Sequence, residues 1–580
     1  MEEMTTFSDS KEKRARTVAI GVQNFESLII KNNFYVDKTN FIKEWWESDD
    51  AVTLIMRPRR FGKTLNMNML ERFFSNRFKG NSSIFEDLNI WKEEKYRKLQ
   101  GTYPVIFLSF AGVKATTYEG AKEQILQVLK NVYGMHKYLM ESGLLDKSEQ
   151  EDFKLVGKNM SDSAAALTLH QLCYYLSRYY SKKVIVLLDE YDTPLQEAYV
   201  NGYWDELSGF IRDLFNNTFK TNPYLERAVM TGITRVSKES MFSDLNNLAV
   251  VTTTSDQYSD AFGFTQEEVS DALAEFGISE MEGNVRNWYD GFTFGNRTDI
   301  YNPWSIINFL KAKKFSAYWA NTSSNSLAGK LIREGSRNIK MVMEDLLAGG
   351  VLHTKIDEQI VFNRLDNSEA AIWSLLLASG YLKVENYRID PDMGEEEYEL
   401  KITNMEVKMM FKSMIRGWFE GCLLEYNDFI KALLLGDLDA MNEYMNEVAL
   451  QSFSSFDVAR NVSSKDAPER FYHGFVLGMI VDLSDRYHII SNRESGFGRY
   501  DIMLKPLDKT QDAIIIEFKV HKPNREASLE ETVQSALKQI EDKQYDADLL
   551  ADGIQKDCIH KYGFAFKGKE VLIGSAESCK

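Results

Sequence analysis

The chain is poor in the residues that staple or punctuate a fold, with four cysteines, nine prolines and seven histidines in 580 residues. Cys173, Cys422, Cys558 and Cys579 show no Cys-x-x-Cys spacing, which excludes a zinc ribbon and offers no disulfide framework, so a reducing, cytoplasmic setting is expected. The histidines carry no metal-ligand spacing, so a zinc enzyme is not expected. So few prolines exclude a proline-rich linker architecture. Long apolar runs are missing too. Val184 to Leu188 and Ala370 to Gly380 fall well short of the roughly 18 residues of a membrane-spanning helix, and the polar segment Met1 to Arg16 has no apolar stretch before a cleavage site. Neither a span nor a signal peptide is expected. Basic charge is also in deficit, 69 Lys and Arg against 86 Asp and Glu, for a net charge of −17. The whole chain should repel a polyanion, and nucleic acid, if bound, must meet a local patch.

What is present is the profile of a packed soluble protein, 44% hydrophobic and 27% charged; the length suits about three or four domains. From about residue 50 to 255 short apolar runs alternate with amphipathic stretches: Val52 to Met56, Val105 to Leu108, Val184 to Leu188 and Ala228 to Ile233. These read as strands buried on both faces and joined by crossover helices. From about 265 to 450 the pattern is mostly helical, opened by Thr265-Gln-Glu-Glu268, which matches a capping box. From about 465 it reads helix (Glu469 to Leu483), strands (Tyr500 to Leu504, Ala513 to Val520) and helix (Glu526 to Tyr545).

Arg57-Pro-Arg-Arg-Phe-Gly-Lys-Thr64 lies between the first apolar run and the helical stretch Leu65 to Phe74. It ends as a phosphate-binding loop does, where backbone amides cradle phosphates, a lysine reaches the β and γ phosphates, and a hydroxyl ligates magnesium. Lys63 and Thr64 fit those roles, with Arg60 and Gly62 in the cradle. The departure is Arg57, where the usual loop opens with glycine; a basic loop entering a surface helix is the alternative. The run Val184 to Leu188 ends in Asp189 and Glu190, which suit a metal-site acid and a general base, or an ordinary turn. Thr234-Arg235, after another apolar run, stands where a γ-phosphate would be sensed, with a solvated turn as the equal alternative.

A second constellation is Gly496-Phe-Gly-Arg-Tyr-Asp501 followed by Ile514-Ile-Ile-Glu-Phe-Lys519. Strand alternation puts Glu517 and Lys519 on one face of a strand whose other face is apolar. If the strand of Asp501 pairs with it, Asp501 and Glu517 can converge on Mg2+ or Mn2+ with Lys519 beside them, which is what phosphodiester hydrolysis needs. A plain salt bridge of Glu517 with Lys519 is the alternative. Residues 461–580 hold 17 basic against 20 acidic residues, nearer neutral than the rest, and Arg470, Arg493, Arg499, Lys519, Lys522 and Arg525 could form a local phosphate-facing patch or only a solvated surface.

The blocks Phe25 to Thr39, Arg57 to Thr64, Leu187-Leu-Asp-Glu-Tyr-Asp192, Thr231-Gly-Ile-Thr-Arg235, Trp288-Tyr-Asp-Gly-Phe-Thr-Phe-Gly295 and Tyr301-Asn-Pro-Trp-Ser305 together resemble the AAA-ATPase-like family. That family joins such an ATPase to a C-terminal PD-(D/E)XK nuclease superfamily domain, here with Tyr500-Asp501 in place of Pro-Asp. The resemblance implies a first-helix acid at Glu469 and an orienting Gln539, though a dipole-favoured acid and a solvated helix position are the alternatives. It also implies that Tyr35 to Thr39 and Trp288 to Gly295 adjoin the nucleotide or the lid, with a structural role ranked slightly higher.

The expected architecture is α/β: a flexible N-terminus (1–17), a P-loop NTPase parallel-sheet core (18–262), a helical lid and middle region (263–450), and an α/β PD-(D/E)XK nuclease-like domain (451–580). The expected function is an ATP-binding and hydrolysing protein that gates a metal-dependent nuclease. The catalytic set is Glu190, Asp501, Glu517 and Lys519. The nucleotide set is Arg60, Gly62, Lys63, Thr64, Asp189 and Arg235, and the metal set Thr64, Asp189, Asp501 and Glu517. The expected ligands are ATP, Mg2+ or Mn2+, and DNA or RNA, with no membrane and with homo-oligomerisation open. The rival is a nucleotide-dependent switch or scaffold whose nuclease-like domain is inactive and binds a partner.

Overall fold

The computed structural model describes residues 15–157, 160–234, 245–320, 326–357, 365, 368–389, 396–420, 423–456, 467–491, 494–495, 498–499 and 501–576. Strands β1 (Val52–Met56), β2 (Val105–Ser109), β3 (Val184–Asp189), β4 (Leu225–Gly232) and β5 (Leu248–Val251) form a parallel sheet in the order β2-β3-β4-β1-β5. β1 and β3 are buried at every residue. A parallel strand covered on both faces has no polar side, so both read as unbroken apolar runs. β5 is an edge strand, half-buried except at Val251; its short Leu-Ala-Val-Val carries no alternation that would mark it in the sequence.

Register brings three chain segments to one edge of this sheet. Met56 pairs with Gly232, and Leu188 pairs with Met230, so the turns after β1, β3 and β4 open together at the carboxyl end, where ligands bind in open α/β sheets. Helix α1 (Lys63–Phe74) starts from Gly62, whose φ of 83° lies in the left-handed region that favours glycine. Helix α2 (Thr193–Asn201) follows β3 with Pro194 in its first turn. Helix α3 (Gln266–Glu275) carries the expected capping box: Glu268 N–H donates to Thr265 and Thr265 N–H to Glu268. Helix α4 (Pro303–Ala312) is capped by Asn302, whose side chain accepts from Trp304 and Ser305.

The stretch read as helical from 263 to 450 also contains strands. Phe264–Thr265, Phe292–Phe294 and Arg297–Tyr301 form a small antiparallel sheet, and Leu382–Ile389 and Glu396–Ile402 are strands as well. The alternation Phe292-Thr-Phe294 is the reason in the first case. It buries both rings edge-on against Phe61 of the 57–64 loop, at centroid distances of 4.8 and 5.4 Å.

Toward the C-terminus come α5 (Ala467–Leu483), β6 (Tyr487–Ser491), β7 (Ile502–Pro506), β8 (Ala513–Val520), α6 (Leu529–Asp542), β9 (Ile559–Lys567) and β10 (Glu570–Ser575). The sheet order is β6-β7-β8-β9-β10, antiparallel except for the parallel pair β8-β9. Parallel neighbours require a crossover, and α6 supplies it. Val533, Leu537 and Ile540 of α6 pack on Met503, Ala513, Ile515 and Ala565. Gly563 permits that approach: a Cβ there would lie 2.9 Å from the Val533 carbonyl oxygen.

The chain divides into two compact units. One comprises Met1–Ser323, Thr354–Tyr398 and Thr403–Glu406; the other comprises Ser324–His353, Glu399–Ile402 and Val407–Lys580. Among the described residues no helix is long and apolar enough to cross a membrane.

Candidate nucleotide and nuclease sites

A cavity of about 410 Å³ lies at the carboxyl edge of the parallel sheet, with Arg59, Arg60, Lys63, Thr64, Glu190 and Asp192 on its polar side. Arg60 and Gly62, two residues apart, both take left-handed backbone with φ of 66° and 83°, the kind of turn that aims successive amides at an anion. Lys63 is buried and donates to the carbonyl oxygens of Arg57 and Pro58, each at 2.8 Å. Burial holds its ammonium below the ordinary lysine value, Glu190, Asp192 and Asp189 oppose that, and the Arg59 charge adds to it.

Thr64 Oγ1 donates to Asp189 Oδ2 at 2.8 Å, and Thr231 Oγ1 donates to Asp189 Oδ1 at 2.6 Å. Asp189 is fully buried with both oxygens engaged. Glu190 sits at φ 52°, gives its N–H to Thr231 Oγ1 at 3.2 Å and accepts from the Thr193 hydroxyl at 3.2 Å. A hydroxyl and a carboxylate side by side suit magnesium, which is commonly held by one or two protein oxygens together with phosphate and water.

In the C-terminal sheet, Phe518 N–H donates to Asp501 Oδ2 at 2.8 Å. Asp501, Glu517 and Lys519 therefore meet at one place, on the face of β8 that α6 covers. Gln539 of α6 bridges two of them: its Nε2 donates to Glu517 Oε1 and its Oε1 accepts from Lys519 Nζ at 2.7 Å. Its Nε2 also meets the hydroxyl of buried Tyr545 at 2.9 Å. Glu517 is only 3% exposed, and its Oε2 has no hydrogen-bond partner. Burial, then the Asp501 charge, push its carboxyl up to about 8, against the opposing effect of Lys519. A buried, unpaired carboxylate oxygen beside a second carboxylate is costly without a cation, so these residues fit one. Among the described residues no cluster of three or more His, Cys, Asp or Glu could hold a metal by itself, which is compatible with a two-carboxylate site completed by water and substrate.

Two family models match this chain. Residues 19–242 match that of a predicted AAA-ATPase, of the AAA-ATPase-like family, and residues 467–576 match that of the PD-(D/E)XK nuclease superfamily. The chain joins a predicted AAA-ATPase domain to a PD-(D/E)XK nuclease superfamily domain. It is also similar to an uncharacterized protein in the vnfD 5' region of Azotobacter chroococcum mcd 1, 24% identical over 401 residues and 68% of each chain.

In the AAA-ATPase domain, Arg60, Gly62, Lys63, Thr64, Asp189 and Glu190 come to one edge of the sheet, while Arg235 lies outside the described residues. Arg60 turns its guanidinium over the Trp304 ring at 4.3 Å. Tyr35 and Lys38 line the cavity, but most of their motif is structural. Lys38 Nζ bonds Glu268 and the Asp260 carbonyl oxygen, and Asp37 accepts from Thr39 and the Asn89 amide. In the nuclease domain Glu469 falls in α5, and neither its side chain nor Tyr500 lies within the described residues. Gln539 is no solvated helix position: it is half-buried between Glu517 and Lys519.

Sequence reasoning quoted Thr231 and Asp192 within the family blocks but gave neither a role: Thr231 holds both Asp189 and the Glu190 amide, and Asp192 Oδ2 gathers the amides of Ile233 and Thr234 at 2.9 and 3.0 Å. Both follow from parallel register alone, which one sequence does not give. Arg57 is the larger surprise. Fully buried, it points away from the cavity and donates to the carbonyl oxygens of Met56, Thr252 and Gln257 beneath the Phe294 ring, 4.3 Å from its centroid.

Proposed function

We propose that the AAA-ATPase domain binds and hydrolyses ATP in the Lys63 cavity, that the nuclease domain cleaves phosphodiester bonds with a divalent cation, and that ATP occupancy biases access to the second site. The observation that carries the proposal is a repeated one: a buried carboxylate beside a lysine at each end of the chain, Asp189 with Lys63 and Thr64, and Glu517 with Asp501 and Lys519.

Lys63 leaves its loop carbonyls for the β and γ phosphates, Thr231 fixes Asp189 and Glu190, and Glu190 accepts the proton of the attacking water. Mg2+, held by Thr64 and Asp189, and Mg2+ or Mn2+, held by Asp501 and Glu517, would supply phosphate polarisation and, at the second site, an acidified water. Lys519 offsets the charge that develops on the cleaved phosphate, and Gln539 keeps it and Glu517 apart and oriented. Nucleic acid, DNA or RNA, meets a local patch drawn from Lys522, Arg525 and their neighbours.

The test is ATP turnover and metal-dependent cleavage of DNA and RNA by wild type, Lys63→Ala and Glu517→Ala, with and without ATP. Loss of turnover in the first variant, loss of cleavage in the second, and ATP-dependent cleavage by wild type are expected. Cleavage unchanged in Glu517→Ala would remove the nuclease assignment. ATP binding with no cleavage of any substrate would make the C-terminal domain a partner-binding module.

A further inference from the structure

The three arginines of the 57–64 loop have three different placements. Arg57 is buried among carbonyl oxygens on the side away from the cavity. Arg60 also lines the cavity, but it is exposed and its guanidinium lies over the Trp304 ring at 4.3 Å. Arg59 is half-buried, lines the cavity with Lys63, and is fixed at both its ends. Its carbonyl oxygen accepts from Asn302 Nδ2 at 3.3 Å and Trp319 Nε1 at 3.0 Å. Its guanidinium Nη2 donates to Gln196 Oε1 at 3.1 Å.

Gln196 is itself held. Its Nε2 donates to Asp192 Oδ2 at 3.0 Å, the oxygen that also accepts the Ile233 and Thr234 amides and, at 3.0 Å, the Thr234 hydroxyl. A continuous chain of hydrogen bonds thus runs from the carboxyl end of β4 through Asp192 and Gln196 to Arg59. Each link uses the amide in the one polarity that satisfies both neighbours, since Gln196 accepts from a cation and donates to an anion.

We propose that Arg59 is the arginine that neutralises the γ-phosphate during hydrolysis, supplied by the same chain that holds the nucleotide and aimed by Gln196; the inference rests on the ATP-hydrolysis reading above. Water attacks the γ-phosphorus and loses its proton to Glu190. The bond from that phosphorus to the β-γ bridging oxygen breaks, its electron pair stays on ADP, and inorganic phosphate leaves. Charge spreads over the γ oxygens in this step, and a planar guanidinium can donate to two of them through parallel N–H groups, a bidentate geometry that an ammonium does not offer.

The experiment uses the full chain and steady-state ATP hydrolysis. Arg59→Ala is expected to lower kcat on the order of 10³-fold with KM little changed, Arg59→Lys not to restore it, and added guanidinium ion to restore part of it. Gln196 is a positioning residue: Gln196→Ala should lower kcat by about tenfold without moving KM. Mixing Arg59→Ala with Lys63→Ala protein should restore nothing, because both groups serve one site in one chain. Restoration on mixing would show an arginine acting between chains and overturn the proposal, as would Arg59→Ala that keeps its kcat. Loss of turnover in Lys63→Ala with none in Arg59→Ala would sink the arginine alone; no turnover by wild type would sink the ATP-hydrolysis reading with it. Retained binding of a fluorescent ATP analogue by Arg59→Ala separates a lost group from a lost fold.

Discussion

Phe518 donates its backbone N–H to Asp501 Oδ2 at 2.8 Å, so the carboxylate preceding β7 is pinned to the strand that carries Glu517 and Lys519. That proximity, added to burial, pushes Glu517 up to about 8. Between the ordinary glutamate range and about 8 the folded chain holds a proton that the unfolded chain has released. Stability of the metal-free protein is therefore expected to fall as pH rises through this window and to level off above it. A cation needs the proton gone, so Mg2+ or Mn2+ should bind more tightly as pH rises over the same window. Glu517→Gln should flatten both slopes. Thermal unfolding with and without Mn2+ from about pH 5 to 9 reads the effect; a wild-type metal response independent of pH would refute it.

Gln539 contributes no charge, yet it touches Glu517, Lys519 and Tyr545 at once. Outer partners of this kind typically contribute about 10–100-fold in metal affinity or activity. Gln539→Ala is expected to reduce metal-dependent cleavage by that factor while circular dichroism and ATP turnover stay unchanged. An equal loss in ATP turnover would mean that the substitution had only damaged the fold.

The parts of these sites legible in the sequence are those whose residue type and local spacing carry the chemistry: Gly62-Lys-Thr64 after an apolar run, Asp189-Glu190 at the end of another, and Glu517-x-Lys519 within a strand. Thr231, Asp192, Gln196 and Tyr545 were not legible, because each acts through a partner on another element and is of a type common at helix and strand ends. Gln539 sits at the margin of the α6 stripe, where spacing alone cannot separate an inward polar residue from a solvated one. The strands β5, β6, β9 and β10 were missed: β5, β6 and β10 are short edge strands with weak alternation, and β9, paired on both sides and buried without a break from Tyr562 to Phe566, shows no alternation to read. Arg57 was misjudged in the opposite sense, as a defect in a phosphate loop, because its partners Thr252 and Gln257 lie about 200 residues away.

Arg57 stands where phosphate loops usually open with glycine, and restoring the glycine should harm this protein. Its guanidinium donates to three carbonyl oxygens, those of buried Met56 and Thr252 and that of exposed Gln257. Burial pushes the group down to about 9, so it stays charged at neutral pH. Arg57→Gly leaves those acceptors unpaired and a void beneath Phe294 and Phe262. A loss of about 3 kcal/mol or more is expected in urea denaturation, with ATP binding lost in proportion to folding. A glycine variant as stable as wild type would show that the buried guanidinium is dispensable.

Glu406 reaches the same loop by a longer route. It is fully buried, accepts from the Ser305 hydroxyl at 2.7 Å and from the Trp319 amide at 2.6 Å, and Trp319 in turn holds the Arg59 carbonyl oxygen. Burial pushes Glu406 up to about 7 despite these donors. Its contribution is largest when protonated and is lost as pH rises from the ordinary glutamate range through about 7. Glu406→Gln keeps an acceptor for the Trp319 amide, and the Ser305 hydroxyl, now a donor, can turn to accept from the new amide N–H, so the variant should remove this pH dependence and keep the fold. Glu406→Ala leaves both donors unpaired, costs about 2 kcal/mol, and loosens Trp319, so ATP turnover should fall with it. Equal pH profiles in denaturant for wild type and Glu406→Gln would show that this carboxyl does not titrate in the window.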